Sequence, residues 1–434
     1  MPVSTQIKKL YKNPSVKSVG IYTFTNFFSK AVSFLLLFVF TNPVYISPSE
    51  NGLLSLFSTS LLLLMPFLSM GIIHSVSADF YKLEKEAFRN YFSTSFVIPV
   101  LVLLISTAVL FFFRQELYVQ YGFPAFFVWL IPLVTFLIFC NEQLLSLSRN
   151  NNEPMVYLKA NIGKTLLELG LSFVLVVYFS YRWQGRVAGI LVAYTVLFFY
   201  ALYYFKKNNF LFGKIKKQYI YDELIYAIPI ISLQAAIFSM SASDKFFLSH
   251  FTNDSNETVG IYSIAAVFAS VINILSMALL QYFFPKIYSL LSKNEAGNSV
   301  AIRKYFLYYL GIMLAGLLFT ILFTPLLYHF FIDEKYHSAL EYNYLLCIGS
   351  FLWGISYFFY SFLLYNKEKR KILILSISCI AVSLGCNYFF IRSGKAYDAA
   401  LAVCISYAVV FLLSLAFTSS YWTKLYAKHS SKLS

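Results

Sequence analysis

Long apolar segments recur along the whole chain, and short polar stretches separate them. Twelve can be delimited, and each is long enough for the roughly 20 residues that a helix needs to cross a hydrocarbon layer about 30 Å thick. The sequence lacks the ~10-residue segments of alternating hydrophobicity that a membrane β-barrel would show. The pattern therefore predicts an all-α membrane protein with about 12 transmembrane helices. Their approximate limits are residues 17–41, 52–78, 91–113, 123–147, 157–180, 187–205, 223–250, 258–285, 303–331, 341–366, 372–392 and 397–420.

The charged residues support this conclusion and give the helices an orientation. They make up 12% of the chain, against roughly 25% in soluble globular proteins. With the N-terminus placed in the cytoplasm, 24 of the 34 Lys and Arg residues fall in inside loops and tails, 6 in outside loops and 4 within spans. Basic loops stay on the cytoplasmic side, and an even number of spans returns the chain there. Both termini are therefore expected in the cytoplasm, and the net charge of +15 reflects topology, not nucleic-acid binding.

The longest polar connection on the inside lies near the middle of the chain, with six spans on either side. The sequence thus predicts an N-terminal six-helix lobe at 1–205, a cytoplasmic linker at 206–222, a C-terminal six-helix lobe at 223–420 and a cytoplasmic tail at 421–434. Because six is even, two such lobes are related by a parallel pseudo-two-fold axis along the membrane normal. A substrate is then expected between the lobes, near the midplane of the membrane.

Polar and ionisable residues inside the spans are the candidate functional residues. A charge at the centre of a membrane helix costs about 2.5–3.5 kcal/mol even on the lenient insertion scale, so such residues tend to face an interior cavity. In the first span, Asn26 and Lys30 belong to one polar stripe. Lys30 lies ~20 Å from the cytoplasmic end at 1.5 Å per residue. That depth favours the lining of a cavity over a lysine that snorkels to the surface.

The seventh span repeats this design. On a straight helix Gln234, Ser241 and Lys245 lie within about 40° of one another, with Asp244 about 80° to one side. Neighbouring residues do not face each other on a helix, so Asp244 and Lys245 are not expected to neutralise one another directly. Both stand close to the outer end, and contact with lipid headgroups is the alternative to a functional role.

Two further candidates lie in the fifth and eighth spans. Lys164 and Glu168 are four residues apart, the spacing at which opposite charges meet on one helix face. A structural pair and a substrate contact are both compatible with this spacing. Asn273 stands beside a stripe of small polar residues in the eighth span, and such residues also join helices to one another.

Motifs for catalysis, metal ligation or cofactor binding are missing from the sequence. The five Cys residues lie in or at the ends of apolar segments, without disulfide or CxxC spacing. His329 and His337 lack an accompanying set of ligands. We therefore expect no metal, no cofactor and no enzymatic activity.

Several short runs resemble those of a known family. They are TNPVYISPSENG at 41–52, PFLSMGI at 66–72, LSRN at 147–150, SDKFFL at 243–248 with VGIYS at 259–263, and a turn with Gly185 and Gly189. In these runs the chain resembles the polysaccharide-repeat-unit (O-antigen, Wzx-type) flippases of the MATE-like exporter (MOP) superfamily.

The resemblance implies a V-shaped, two-lobed MATE-like bundle with a central cavity. It further implies that the protein moves an undecaprenyl-diphosphate-linked oligosaccharide across the bacterial inner membrane for surface polysaccharide assembly. Lys30 and Lys245 would then hold the anionic diphosphate, while neutral polar groups accept the sugars. Membrane lipids, the polysaccharide polymerase and the chain-length regulator are the further partners expected.

Four alternatives remain open at this point. One is a purely structural assembly subunit, which would leave the lysines within the spans unexplained. A MATE-type multidrug or cation antiporter of the same fold would need a net acidic, aromatic-lined cavity, whereas central basic residues are at least as evident here. The peptidoglycan-precursor flippases usually carry fourteen helices, and twelve are predicted here. A membrane polymerase would need a substantial extramembrane active site, but no predicted outside loop exceeds about ten residues.

Overall fold

The computed structural model describes residues 14–293, 298–366 and 368–430 and is helical almost throughout. No strand occurs in these three ranges. The helices of the first half are α1 Pro14–Phe40, α2 Pro48–Ser69, α3 Ile72–Asp79, α4 Lys85–Thr94, α5 Val97–Phe112, α6 Arg114–Tyr121, α7 Phe127–Asn150 and α8 Pro154–Phe173. Those of the second half are α9 Arg182–Lys207, α10 Lys217–Ser241, α11 Asp244–Phe251, α12 Ser255–Lys293, α13 Asn298–Phe331, α14 Leu340–Tyr365, α15 Lys369–Phe390 and α16 Ala396–Ser430.

The predicted all-α membrane fold is confirmed. Within the described ranges, ten helices are long and apolar enough to cross a membrane, and a bent pair within α10 makes up to eleven. The first predicted span corresponds to α1, whose apolar part is Phe24–Phe40. The protein is therefore a multi-pass membrane protein. The predicted limits hold to within a few residues at most helix ends, because the thickness of the hydrocarbon layer sets the length of each segment.

The start of α2 shows how the sequence fixes a helix end. Ser47 and Glu50 form a capping box, in which each side chain accepts a hydrogen bond from the other residue's backbone N–H. Arg182, at the start of α9, clamps the Glu50 carboxylate with two hydrogen bonds of 2.7 and 2.9 Å. The helix ends at Ser69 and is capped by Met70, whose backbone is left-handed and which precedes Gly71.

The described chain forms two compact units. The first comprises the described residues of Met1–Glu50 and Ser60–Ile231, and the second comprises those of Asn51–Thr59 and Ser232–Ser434. The stretch predicted as a linker, residues 206–222, counts with the first unit. Part of the stretch predicted as a tail is helical, because α16 runs on to Ser430.

The second unit owes part of its packing to a glycine. Gly52 lies so close to the Asn256 backbone that a Cβ on it would stand 1.7 Å from the Asn256 carbonyl oxygen. One turn further along α2, the hydroxyls of Ser55 and Ser263 are hydrogen-bonded at 2.6 Å. Only glycine allows an approach of this kind, which accounts for the glycine in the run at 41–52.

Candidate functional site

A seam of polar side chains joins α1 to α8 within the first unit. Asn26 Oδ1 accepts hydrogen bonds from the Tyr157 hydroxyl at 2.9 Å and from Asn161 Nδ2 at 3.2 Å. One turn further along, the Thr165 hydroxyl is 2.9 Å from that of Ser29. The predicted polar stripe of the first span therefore has a polar partner on α8.

The seam continues into a cluster of charges. The two Glu168 carboxylate oxygens contact different cations: Oε1 lies 2.9 Å from Arg186 Nη2, and Oε2 lies 3.7 Å from Lys164 Nζ. The Lys164 ammonium also lies 5.3 Å from the centre of the Tyr194 ring. The three charged side chains are 14–20% exposed. The predicted pairing of Lys164 with Glu168 is confirmed, but the closer partner of this carboxylate is an arginine from another helix.

Arg186 reaches the cluster because α9 packs tightly on α8. A Cβ on Gly189 would stand 2.3 Å from the Ser172 hydroxyl and 2.9 Å from the Glu168 carbonyl oxygen. Small residues four apart, here Gly185 and Gly189, let two membrane helices approach closely. Arg186, between them in sequence, donates to the Ser172 hydroxyl at 3.0 Å. The prediction that these glycines form a turn before the span was wrong, because they lie inside α9, which begins at Arg182.

The balance of charge along this seam is positive. Lys30 follows Ser29 on α1 and is exposed. Arg149, also exposed, lies at the end of α7 with its guanidinium 5.8 Å from the Tyr157 ring centre. Glu142 on α7 interacts electrostatically with Arg149 and Lys164. Three cations (Arg149, Lys164 and Arg186) therefore interact with seam residues or with the two acids, Glu142 and Glu168, and the exposed Lys30 is the sequence neighbour of the seam residue Ser29.

Between Tyr157 and Ser172 this polar region spans ~22 Å of α8, at 1.5 Å per residue. Amides and hydroxyls dominate one end of it, and charges dominate the other. Such a region can bind an anion through its cations and a sugar through its neutral groups.

The second unit carries a different polar arrangement, built on a break in the seventh predicted span. α10 ends at Ser241 and α11 begins at Asp244. The Ser239 carbonyl accepts hydrogen bonds from the hydroxyls of Ser243 and Ser383, and Asn387 Nδ2 donates to the Ser243 hydroxyl at 2.9 Å. The side chains of Ser383 and Asn387 on α15 therefore donate hydrogen bonds to groups at the break.

The break changes the geometry expected for this span. Ser241 is exposed and its hydroxyl donates to the Ile237 carbonyl, whereas Lys245, the second residue of α11, is partly buried. The single straight face predicted for these residues was wrong, because the chain does not continue as one helix through residues 242 and 243.

Asp244 is buried, with 6% of its surface exposed. One of its carboxylate oxygens accepts a hydrogen bond from the hydroxyl of Tyr262, which is also buried. Asp244 and Lys245 form no ion pair in the described ranges, but their opposite charges interact electrostatically. The buried Asp244 carboxylate is thus compensated by the charge of Lys245 as well as by the Tyr262 hydroxyl.

The two remaining candidates lie in the second unit. Gln234 on α10 is partly buried, and its Oε1 has no hydrogen-bond partner among the described residues. Asn273 Nδ2 on α12 lies 3.4 Å from the Ser350 hydroxyl on α14. The latter contact joins two helices, which is the structural role that the sequence left open for Asn273.

Three residues of the seam, Arg186, Tyr157 and Asn161, are not among the candidates that the sequence indicates. The sequence places Arg186 in an outside loop, because the predicted sixth span begins at residue 187. The glycines at 185 and 189 are the signal that could have placed it on a helix–helix contact. In the described ranges, no group of three or more His, Cys, Asp and Glu side chains could hold a metal ion.

Comparison with known families and structures adds to this picture. Residues 15–291 match the family described as polysaccharide biosynthesis protein. A search of curated proteins finds no significant match.

The fold is similar to that of solved MATE transporters. The inward-facing structure of a multidrug resistance MATE family transporter of the MOP superfamily matches with a TM-score of 0.71 and 14% identity, over 90% of this chain and 95% of that one. A point mutant of a MATE protein matches with a TM-score of 0.62 and 14% identity, over 96% and 98%. MATE in a straight conformation matches with a TM-score of 0.61 and 15% identity, over 96% and 98%. At such identities the similarity shows the fold alone.

Proposed function

Because this chain belongs to the polysaccharide biosynthesis protein family, we propose that it is a flippase. It translocates a polyprenyl-diphosphate-linked oligosaccharide repeat unit across the bacterial inner membrane for the assembly of a surface polysaccharide. The reaction is transport, with no bond of the substrate made or broken. Both termini then face the cytoplasm, as the distribution of basic residues predicts.

The observation that carries this proposal is the positive balance of the polar seam in the first unit. A diphosphate is strongly anionic, and its attraction to a cation rises steeply as the effective dielectric falls inside a membrane protein. Lys30 is the cation best placed to meet a ligand, since it is exposed and no hydrogen bond or ion pair of its amine occurs within the described ranges. Arg186 and Lys164 are already engaged by Glu168.

The neutral part of the seam suits the oligosaccharide. Asn26 is exposed on α1 and accepts from Tyr157 and Asn161. Amide and hydroxyl groups both donate and accept, so they can exchange their mutual hydrogen bonds for hydrogen bonds to sugar hydroxyls. The lipid tail needs no protein site, because it can remain in the bilayer.

The test is complementation of a flippase-deleted strain at matched expression. Loss of a hydrogen bond to a charged group costs about 1.5–3 kcal/mol, so Lys30→Gln is expected to lower affinity for the diphosphate roughly 10- to 150-fold. Surface glycan should fall and lipid-linked repeat units should accumulate on the cytoplasmic face. Lys30→Arg should keep part of the activity, because arginine retains the charge and binds phosphate oxygens in a bidentate manner.

Lys159→Gln is the matched control, since Lys159 is an exposed lysine of α8 that lies about 160° around the helix from both Tyr157 and Asn161. It should behave as wild type. Lys245→Gln tests the second predicted phosphate ligand separately, because Lys245 belongs to the second unit. Wild-type surface glycan from both Lys30→Gln and Lys245→Gln would refute diphosphate binding by these lysines.

A cation antiporter is the second candidate, and the buried Asp244 favours it. A buried carboxylate that accepts a hydrogen bond from a neutral tyrosine can be neutralised by a proton or a small cation. An antiporter predicts the reverse order of effects, with Asp244→Asn abolishing transport and Lys30→Gln leaving it intact. The same strain panel, assayed for glycan export and for drug resistance, separates the two functions.

A further inference from the structure

The connection between α9 and α10, residues 208–216, is tied to the first unit by its backbone. Arg89 Nε donates to the Leu211 carbonyl at 2.8 Å, and the Ser93 hydroxyl donates to the Phe210 carbonyl at 3.3 Å. Both donors belong to α4. They hold the first half of this α9–α10 loop against that helix.

Three backbone N–H groups complete the attachment. Gly213 N donates to the Ser93 hydroxyl at 2.8 Å, Lys214 N to Asn90 Oδ1 at 2.6 Å and Lys216 N to the Thr94 hydroxyl at 3.2 Å. A Cβ on Gly213 would stand 2.4 Å from the Arg89 carbonyl oxygen. The loop thus lies directly on the backbone of α4 and is held in one conformation along most of its length.

Some of the loop's apolar side chains point into the protein and others point away. Phe210 packs against Phe88 and Phe92, with ring centres 5.3 and 5.8 Å apart. Phe212 and Ile215 are 78% and 65% exposed. Phe212 adopts φ +62°, a left-handed conformation that non-glycine residues rarely take. The loop therefore keeps a large apolar side chain outside the protein at a cost in backbone strain.

Exposed lysines flank these two apolar residues in the sequence. They are Lys206, Lys207, Lys214, Lys216 and Lys217, and the sequence has no acidic residue from 206 to 221. A membrane-spanning helix ends at Lys207, and the next begins at Lys217. The loop is therefore expected at the boundary between the hydrocarbon layer and the lipid headgroups.

We propose that the α9–α10 loop is a binding surface for anionic phospholipid headgroups, with Phe212 and Ile215 inserted between the lipids. Apolar side chains flanked by lysines are the composition by which interfacial segments bind anionic membranes. The fixed backbone strengthens the binding, because the loop loses little conformational freedom when it meets the lipid.

Titration of the purified full-length protein in neutral detergent with phosphatidylglycerol tests the proposal. Phosphatidylglycerol should raise the melting temperature, because a ligand of the folded state stabilises it, and phosphatidylcholine should do so far less. A lysine near an anionic surface is worth about a factor of five in affinity, so Lys214→Gln/Lys216→Gln should move the titration midpoint roughly 25-fold. Both substitutions leave the backbone N–H groups that attach the loop.

Lys335→Gln/Lys395→Gln is the control for net charge, since it removes two exposed lysines from other loops. Its titration should match that of wild type. Equal shifts in the two double variants would overturn the proposal, because they would reduce the effect to overall charge.

A second measurement tests insertion. A nitroxide on Phe212→Cys in phosphatidylglycerol nanodiscs should be more accessible to oxygen than to a water-soluble nickel chelate, and a nitroxide on Lys335→Cys should show the reverse. Equal exposure of both labels to the chelate would refute insertion and favour a surface that meets a protein partner.

Discussion

Glu168 offers the sharpest test of how the charged cluster is built. Its carboxylate is the shared partner of two cations, at 2.9 Å for Arg186 and 3.7 Å for Lys164. At an effective dielectric of 20 these contacts correspond to attractions of about 6 and about 4.5 kcal/mol, before the cost of desolvation. Glu168→Gln removes both attractions at once and leaves two cations side by side.

The net effect is smaller than the sum of these attractions but still large. Removing one partner of a buried ion pair costs about 3–5 kcal/mol, and partial exposure places this cluster at the lower end. A loss of ~3 kcal/mol corresponds to a fall in melting temperature of roughly 6–12 °C, taking the slope of a globular domain of 150–250 residues. Arg186→Gln and Lys164→Gln should each cost less, because either one leaves the carboxylate with a cation.

Melting of the purified variants in detergent measures these differences. The double variant Glu168→Gln/Arg186→Gln should lose less stability than the two single variants lose together, because it removes the repulsion between the cations. Residues in contact typically show an interaction energy of about 0.5–3 kcal/mol in such a comparison. A Glu168→Gln variant with the same melting temperature as wild type would contradict the stabilising role assigned to this carboxylate. So would strict additivity in the double variant, because it would mean that the two side chains do not interact.

Two further predictions concern packing and topology. Gly52→Ala should lower the melting temperature markedly, because its Cβ would stand 1.7 Å from the Asn256 carbonyl oxygen; Gly163→Ala, with no atom within 4 Å of its Cβ, should be neutral or slightly stabilising. Equal melting temperatures for the two variants would contradict the close approach of Gly52 to the Asn256 backbone. In sealed cells, a membrane-impermeant thiol reagent should label Lys335→Cys from outside and should not label Lys82→Cys; labelling of Lys82→Cys would contradict the predicted orientation.

The membrane helices could be predicted from the sequence because the thickness of the hydrocarbon layer sets their length. A span must bury about 20 apolar residues whatever its neighbours, so its position can be read locally. The pairing of Lys164 with Glu168 could be predicted for the same reason, since i,i+4 geometry is internal to one helix. Those parts of the site that lie on a single helix were therefore accessible without a structure.

Contacts between helices could not be predicted in this way. Arg186 reaches Glu168 because α9 packs closely on α8 at Gly185 and Gly189. No feature of the sequence near either residue indicates that the two are partners. The break between α10 and α11 contains neither proline nor glycine, so no local signal marks it. The hydrogen bonds that satisfy it come from Ser383 and Asn387, both 144 residues from their partners.

That separation in sequence has a consequence for how the protein is made. At about 5–20 residues per second of synthesis, Tyr262 follows Asp244 within roughly 1–4 s, whereas Asn387 follows Ser243 only after roughly 7–29 s. During this interval the nascent chain can hold residues 230–251 as one continuous helix, because the α15 side chains that bond to Ser239 and Ser243 have not yet been made. We therefore expect the break to form late in biogenesis, so that a nascent chain arrested before residue 369 inserts residues 230–251 unbroken.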